Sequence, residues 1–184
     1  MDELKEENLE QNIKKLILVG LDNAGKTSIL LSLRGIKNLR EFATVTPTRG
    51  KDTVKFNAFD SGYTIIDLGG QEAYRNNHLE NFKEYLIGTN KIIYVIDIQD
   101  KKRYEMTLKF LKSVITLLQE DQASINFSIF LHKFDPDLDL TSNEINEISI
   151  NDLITKIKAA FPPNFIYTLH KTSIYTVFEK LKIE

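Results

Sequence analysis

A chain of 184 residues, 42% hydrophobic and 27% charged, can bury one substantial core and is short for two large domains. Eight glycines and four prolines exclude collagen-like and low-complexity chains, and the lack of cysteine excludes disulfide scaffolds, thiolate metal sites, thiol nucleophiles and lipid attachment through sulfur. The net charge of −2 argues against a nucleic-acid surface and hides an asymmetry: residues 1–12 set Asp2, Glu3, Glu6, Glu7 and Glu10 against Lys5, a local charge of −4.

The elements follow in chain order. Residues 1–12 read as a solvated acidic arm, and 13–184 as one domain. Lys15–Gly20 is a continuous apolar run, as expected of a central parallel strand covered on both faces, and Ser28–Leu33 reads as the start of a helix. Arg34–Gly50 lacks periodicity, and a loop that long inside a compact domain is usually functional. Val54, Phe56 and Ala58 alternate as a half-exposed strand does; after the turn signal Asp60-Ser61-Gly62, Tyr63–Ile66 forms the second arm of a hairpin. Lys91–Ile96 and Asn126–Leu131 are further strands, separated by a helix whose Leu108, Leu111, Ile115 and Leu118 share one face. Asp135–Asn151 reads as a surface loop leading into a helix marked by Leu153, Ile154, Ile157 and Phe161. A strand at Phe165–Leu169 and a closing helix through Ile174, Val177, Phe178 and Leu181 complete the pattern. Strands alternating with helices, with one hairpin, predict a mostly parallel six-stranded α/β sheet with helices on both faces. Phe56, Phe59, Tyr85, Phe110, Phe127 and Phe130 are expected in core and edge packing rather than on a base-stacking platform, and His78, His132 and His170 have no spacing for a shared metal. No apolar run reaches membrane-spanning length and no charged-then-apolar leader opens the chain, so a cytoplasmic protein is expected.

Gly20-Leu21-Asp22-Asn23-Ala24-Gly25-Lys26-Thr27 fits the phosphate-loop pattern G-x-x-x-x-G-K-[ST]. Its four fixed positions would match by chance in on the order of one chain in a hundred of this length, and the match begins where a strand ends and a helix starts. The expected phosphate-contacting residues are Gly20, Asp22, Asn23, Ala24, Gly25, Lys26, Thr27 and Ser28. Backbone N–H groups would wrap phosphate oxygens at the positive end of the helix, Lys26 would reach the β- and γ-phosphates, and Thr27 would give its hydroxyl to Mg²⁺. Asp67-Leu68-Gly69-Gly70-Gln71-Glu72 follows another strand. Asp67 is suited to hold Mg²⁺ directly or through water, Gly70 to bring its N–H against a γ-phosphate, and Gln71 to orient water for in-line attack.

These motifs resemble those of small GTPases of the Ras superfamily, over Lys14 to Lys182, and the two quoted above are similar to the Arf family's versions, including Asp22 where Ras proteins have glycine. The resemblance implies a P-loop G domain. Thr46-Pro47-Thr48 is similar to the Arf switch I, which implies that Thr48 is a second Mg²⁺-binding hydroxyl. His132-Lys133-Phe134-Asp135 stands where the family reads guanine with [NT]-K-x-D. Asp135 would accept from the N1 and N2 hydrogens of guanine, a donor pair that adenine lacks, the Lys133 stem would lie over the purine, and the backbone at Ser173 and Ile174 would meet guanine O6. His132 in place of Asn, together with Tyr94–Asp97 and Lys171–Tyr175, resembles Rag GTPases.

The resemblance implies a switch that binds GTP and GDP with Mg²⁺ and hydrolyses GTP slowly. Gln71 and Lys26 would be its catalytic residues, and exchange factors, GTPase-activating proteins and switch-reading effectors its partners. Arg49 and Arg75 lie in the switches outside any motif, so no arginine finger is expected in cis. Asp2 stands where Arf myristoylation needs glycine, so no intrinsic lipid anchor is expected and membrane recruitment would come through partners. Two rivals stay open: a nucleotide-holding interaction module that hydrolyses little and pairs in a Rag-like dimer, and a P-loop ATPase or nucleotide kinase, which Asp135 opposes.

Overall fold

The computed structural model describes residues 13–35, 44–58, 61–118, 125–140 and 145–174. The expected acidic arm, the closing helix beyond Ile174, Phe59 and Asp60 lie outside these residues.

Six strands form one sheet: β1 (Ile13–Val19), β2 (Lys51–Ala58), β3 (Ser61–Leu68), β4 (Lys91–Asp97), β5 (Asn126–His132) and β6 (Tyr167–Lys171), in the order β2-β3-β1-β4-β5-β6. All neighbours are parallel except β2 and β3, which pair antiparallel from Lys51↔Leu68 to Ala58↔Ser61. The helices are α1 (Lys26–Leu33), α2 (Glu72–Glu80), α3 (Phe82–Leu86), α4 (Tyr104–Leu118) and α5 (Glu147–Ala160), with a 3₁₀ turn at Lys101–Arg103.

The central strands read as apolar runs because both faces are covered. Ile17 and Val19 of β1, Ile92, Tyr94 and Ile96 of β4, and Phe127, Ile129 and Leu131 of β5 turn to one face, where Leu108, Leu111, Ile115 and Leu118 of α4 and Leu153 and Ile157 of α5 meet them. Leu18, Ile65, Ile93 and Val95 turn to the other face and pack with Ile29 and Leu30 of α1. Each such side chain taken from water contributes about 1.5–3 kcal/mol. Tyr94 is fully buried, and its hydroxyl is satisfied by donating to the Thr107 carbonyl at 2.7 Å. The aromatic expectation holds for the buried Tyr85, Phe110 and Phe127, while Phe56 and Phe130 are half-buried.

Several element boundaries differ from the sequence-based expectation. β6 begins at Tyr167 rather than Phe165, because Phe165 turns into an aromatic cluster with Phe127 and Phe161, at centroid distances of 5.7 and 5.0 Å. α5 begins at Glu147, inside the expected loop. Asn146 and Ser149 close a reciprocal capping box there, with Ser149 N–H donating to Asn146 Oδ1 at 2.9 Å. α2 and α3 were not expected at all. α2 buries only His78, so it carries no apolar stripe to read.

β1 is flanked by β3 on one side and β4 on the other, so the chain leaves the sheet in opposite directions from its centre. In open α/β sheets the crevice at the carboxyl ends beside such a switch point is where ligands bind. The loops after β1, β3, β4, β5 and β6 all rise on that side.

Candidate functional site

The loop 20–27 joins β1 to α1. Gly25 is the N-cap of α1 at φ +90, with no side chain capping the helix, so the first N–H groups of α1 have no partner within the helix and face the crevice. Two constraints exclude a side chain at Gly25. The left-handed φ is one; the other is His132, because a Cβ at Gly25 would lie 2.5 Å from His132 Cδ2. Lys26 is 6% exposed, and its ammonium donates to the carbonyls of Gly20 at 3.1 Å and Leu21 at 2.7 Å. A third hydrogen remains for an anion. Burial pushes Lys26 down to about 8, against the pull of the Asp67 and Asp22 carboxylates.

Asp67, at the end of β3, is fully buried. Its Oδ2 accepts from Thr27 Oγ1 at 2.6 Å and from Thr48 Oγ1 at 3.1 Å, and the two hydroxyls are 3.1 Å apart. Its Oδ1 is buried without a hydrogen-bond partner. Burial raises the Asp67 pKa, and the Thr27 hydrogen bond and the Lys26 charge oppose that shift. Two hydroxyls and one carboxylate, whose second oxygen is buried without a partner, make an all-oxygen set. That chemistry fits Mg²⁺, which takes hard oxygen ligands about 2.0–2.1 Å away with adjacent ligands about 3 Å apart. Thr48 comes from the aperiodic segment and closes over the loop. With Pro47, Lys26, Gly70 and Gln71 it lines a cleft of about 270 Å³.

Gly70 lies on the phosphate loop itself. A Cβ there would fall 2.1 Å from Asp22 N and 2.1 Å from Leu21 C, so only glycine permits the approach. Gln71 follows as the N-cap of α2, half-buried at the cleft. Arg75 turns away from the cleft: Nη1 donates to the Gly70 carbonyl at 3.1 Å, and the guanidinium lies 5.9 Å from the Phe110 ring centre.

The second half of the crevice gathers residues 97–99, 132–135 and 172–174. His132 is 1% exposed, its Nδ1 lies 3.0 Å from Thr172 Oγ1, and burial with the neighbouring Lys133 charge lowers its pKa, so the ring is neutral near pH 7. It spans from Gly25 to Thr172 and ties the two halves together. Lys133 Nζ donates to Asp97 Oδ2 at 2.6 Å. Asp135 accepts from Ser173 Oγ at one oxygen and from Gln99 Nε2 at 3.0 Å at the other. Ser173 and Ile174 are exposed beside it. Asp67, His132 and the segments 20–25, 133–135 and 172–174 lie at or just after the carboxyl ends of β1, β3, β5 and β6, Lys26 to Ser28 lie in the first turn of α1, and Thr48 lies ahead of β2. Of the other histidines, His78 lies in α2 and His170 in β6, on separate elements from His132 in β5.

Residues 1–181 match the family model "ADP-ribosylation factor family". The chain belongs to the ADP-ribosylation factor family. ADP-ribosylation factor-like protein 2 of Drosophila melanogaster is 33% identical over 158 residues, 83% of this chain and 78% of its own. ADP-ribosylation factor-like protein 5A of Homo sapiens is 32% identical over 133 residues, 72% and 69% of the two chains. The solved structure of the Arl6 BBS3 small GTPase from Trypanosoma brucei, with bound GppNp, superposes with a TM-score of 0.62 at 18% identity. The match covers 88% of this chain and 87% of that one, a likeness of fold. These relatives lend no support to the Rag resemblance at His132.

Two groups of this ADP-ribosylation factor-family site were missed in the sequence. Arg103, in the 3₁₀ turn, donates to Asp22 Oδ1 at 2.9 Å and to the Asp22 carbonyl at 3.1 Å, and pairs with Asp100. It anchors the loop at the one position where the phosphate motif carries an acid. Gln99 is the other. Neither has a local signal, because the site residue each one holds, Asp22 for Arg103 and Asp135 for Gln99, is more than 30 residues away in the chain. Among the described residues, no helix is long and apolar enough to cross a membrane.

Proposed function

We propose that this chain is a Mg²⁺-dependent, GTP-binding switch that hydrolyses GTP slowly to GDP and phosphate. The observation that carries the proposal is the convergence of Thr27, Thr48 and Asp67 beside the buried Lys26 ammonium, on a loop whose helix N-terminus faces the same cleft. Membership in a family of small GTPases supports it. The domain would be 13–184, with 1–12 as an appended arm.

The N–H groups of 23–28 and the third Lys26 hydrogen bind the phosphate oxygens and stabilise charge as the γ-phosphoryl leaves. Thr27 and Thr48, with Asp67 directly or through water, would hold Mg²⁺, which neutralises charge on the β- and γ-oxygens. Gly70 offers its N–H to the γ-phosphate, and Gln71, adjacent in sequence and at the cleft, orients the attacking water. Asp135 accepts from the N1 and N2 hydrogens of guanine, Lys133 covers the ring, and Ser173 and Ile174 present their N–H groups to O6. Arg75 is committed to the Gly70 carbonyl, so it does not serve as an arginine finger, and an activating partner would supply that charge. Loss of the γ-phosphate would release Thr48 and Gly70 together, and exchange factors, activating proteins and effectors would read that change through 34–50 and 68–79.

Gln71→Leu should lower single-turnover GTP hydrolysis by at least about tenfold while GTP affinity stays within about twofold. Equal turnover in variant and parent would remove Gln71 from this role. Preference for ATP over GTP in competition against a labelled guanine nucleotide would remove the guanine switch altogether.

A further inference from the structure

Lys133 holds φ +60, a left-handed conformation that side-chain-bearing residues adopt only when their surroundings fix it. The fixing contacts come from the turn after β4. Asp97 Oδ1 accepts the Gln99 N–H at 2.9 Å, which sets the backbone of that turn, and Asp97 Oδ2 accepts Lys133 Nζ at 2.6 Å. The Gln99 side chain then crosses to the neighbouring loop. Its single amide nitrogen donates to the Lys133 carbonyl at 2.8 Å and to Asp135 Oδ2 at 3.0 Å. Both of its hydrogens are spent on the strained loop.

An ionised carboxylate has about four lone-pair sites. Ser173 takes one on Oδ1 and Gln99 takes one on Oδ2, so each oxygen keeps one for an outside donor. Two donors side by side on a planar edge suit that remainder, and the N1 and N2 hydrogens of guanine are such a pair. Resting on the switch proposed above, we infer that Gln99 is a positioning residue for base choice: it fixes the plane of the Asp135 carboxylate so that both oxygens face the base together. With Gln99 gone, one hydrogen bond holds Asp135. The Cβ–Cγ torsion of an aspartate is broad, so the carboxylate turns and meets one donor nearly as readily as two.

The readout is the ratio of GDP to IDP affinity, because inosine lacks only the exocyclic N2 amine. The full-length chain, with Mg²⁺, is titrated with each nucleotide in the parent, Gln99→Leu and Gln99→Glu. Gln99 is exposed, so neither change removes core packing. The parent should favour GDP by on the order of tenfold or more, the value of a hydrogen bond to a charged group. Gln99→Leu should narrow that ratio at least about threefold. Gln99→Glu sets a second carboxylate against Asp135; it should weaken GDP more than Leu does at pH 7 and regain part of the loss towards pH 5.5, as the pair comes to share a proton. A role confined to folding or to the phosphate loop would weaken GDP and IDP equally. An unchanged ratio in both variants, beside a parent that binds GDP, overturns the assignment of Gln99. A parent that binds neither nucleotide overturns the guanine switch and this assignment with it.

Discussion

The phosphate half and the base half of the crevice are built on opposite plans. The phosphate half draws its core from eight consecutive residues, Gly20 to Thr27, whose donors belong to one turn and one helix end. The base half draws on three separate strand ends, β4, β5 and β6, and its central carboxylate is held by Gln99 and Ser173, 36 and 38 residues away along the chain. A contiguous site depends on local backbone shape, whereas a dispersed one depends on the register of the whole sheet. His132 is the strut between them, with its ring against Gly25 and its Nδ1 at Thr172.

Lys26→Met gives the sharpest test of the contiguous half. It should cost about 2–5 kcal/mol of GTP and GDP affinity, the usual loss when a buried, hydrogen-bonded cation is truncated, and leave the GDP:IDP ratio untouched. The parent adds a pH signature. Its Lys26 sits at about 8 without ligand, and phosphates favour the charged form. Binding should therefore take up a proton above pH 8 and weaken as pH rises, seen by calorimetry in buffers of different ionisation enthalpy; Lys26→Met should abolish the uptake.

Gly70→Ala comes next. Its methyl falls on Asp22 N and Leu21 C, so the segment must back away from the phosphate loop at a cost of about 1–3 kcal/mol. Hydrolysis and the preference for GTP over GDP should both fall, with base choice unaffected. A variant with parental GTP:GDP preference would show that the contact is dispensable.

The smallest effect is expected at the strut. His132 has a native pKa below its ordinary 6.5, so as pH falls the unfolded chain takes up this proton first, and the stability from the neutral ring is lost from about pH 6.5 downward. His132→Asn keeps a short polar group there and should leave nucleotide affinity near pH 7 within about threefold. It should also flatten the acid limb of the denaturation midpoint between pH 6.5 and 5. An unaltered acid limb would shift the blame to His78, whose pKa burial also lowers.

What the sequence disclosed follows the same division. The phosphate loop was legible because its four fixed residues are contiguous and flanked by an apolar strand and a helix. The buried strands and α4 were legible from periodicity, since Leu108, Leu111, Ile115 and Leu118 are all within 5% of full burial. Thr48 and Asp135 were reached only through family resemblance, since a Pro-Thr or a Lys-x-Asp in a loop carries no local signature. Arg103 and Gln99 were not reached at all, because what they touch is decided by the pairing of β4 with β1 and β5. α2 was missed for a different reason: a nine-residue helix that buries one histidine is held by its connections more than by an apolar face.

The outer strand β2 sits at the margin of the sheet and exposes Lys51, Asp52, Thr53, Lys55 and Asn57 along an eight-residue ladder. Unpaired peptide groups on such a margin invite a copy of the same chain to add itself, and charged side chains, lysine above all, are a common deterrent. The strand that borders both switch segments thus carries a guard against self-association. Replacing Lys51 and Lys55 with threonine should raise the tendency to aggregate long before it alters the fold.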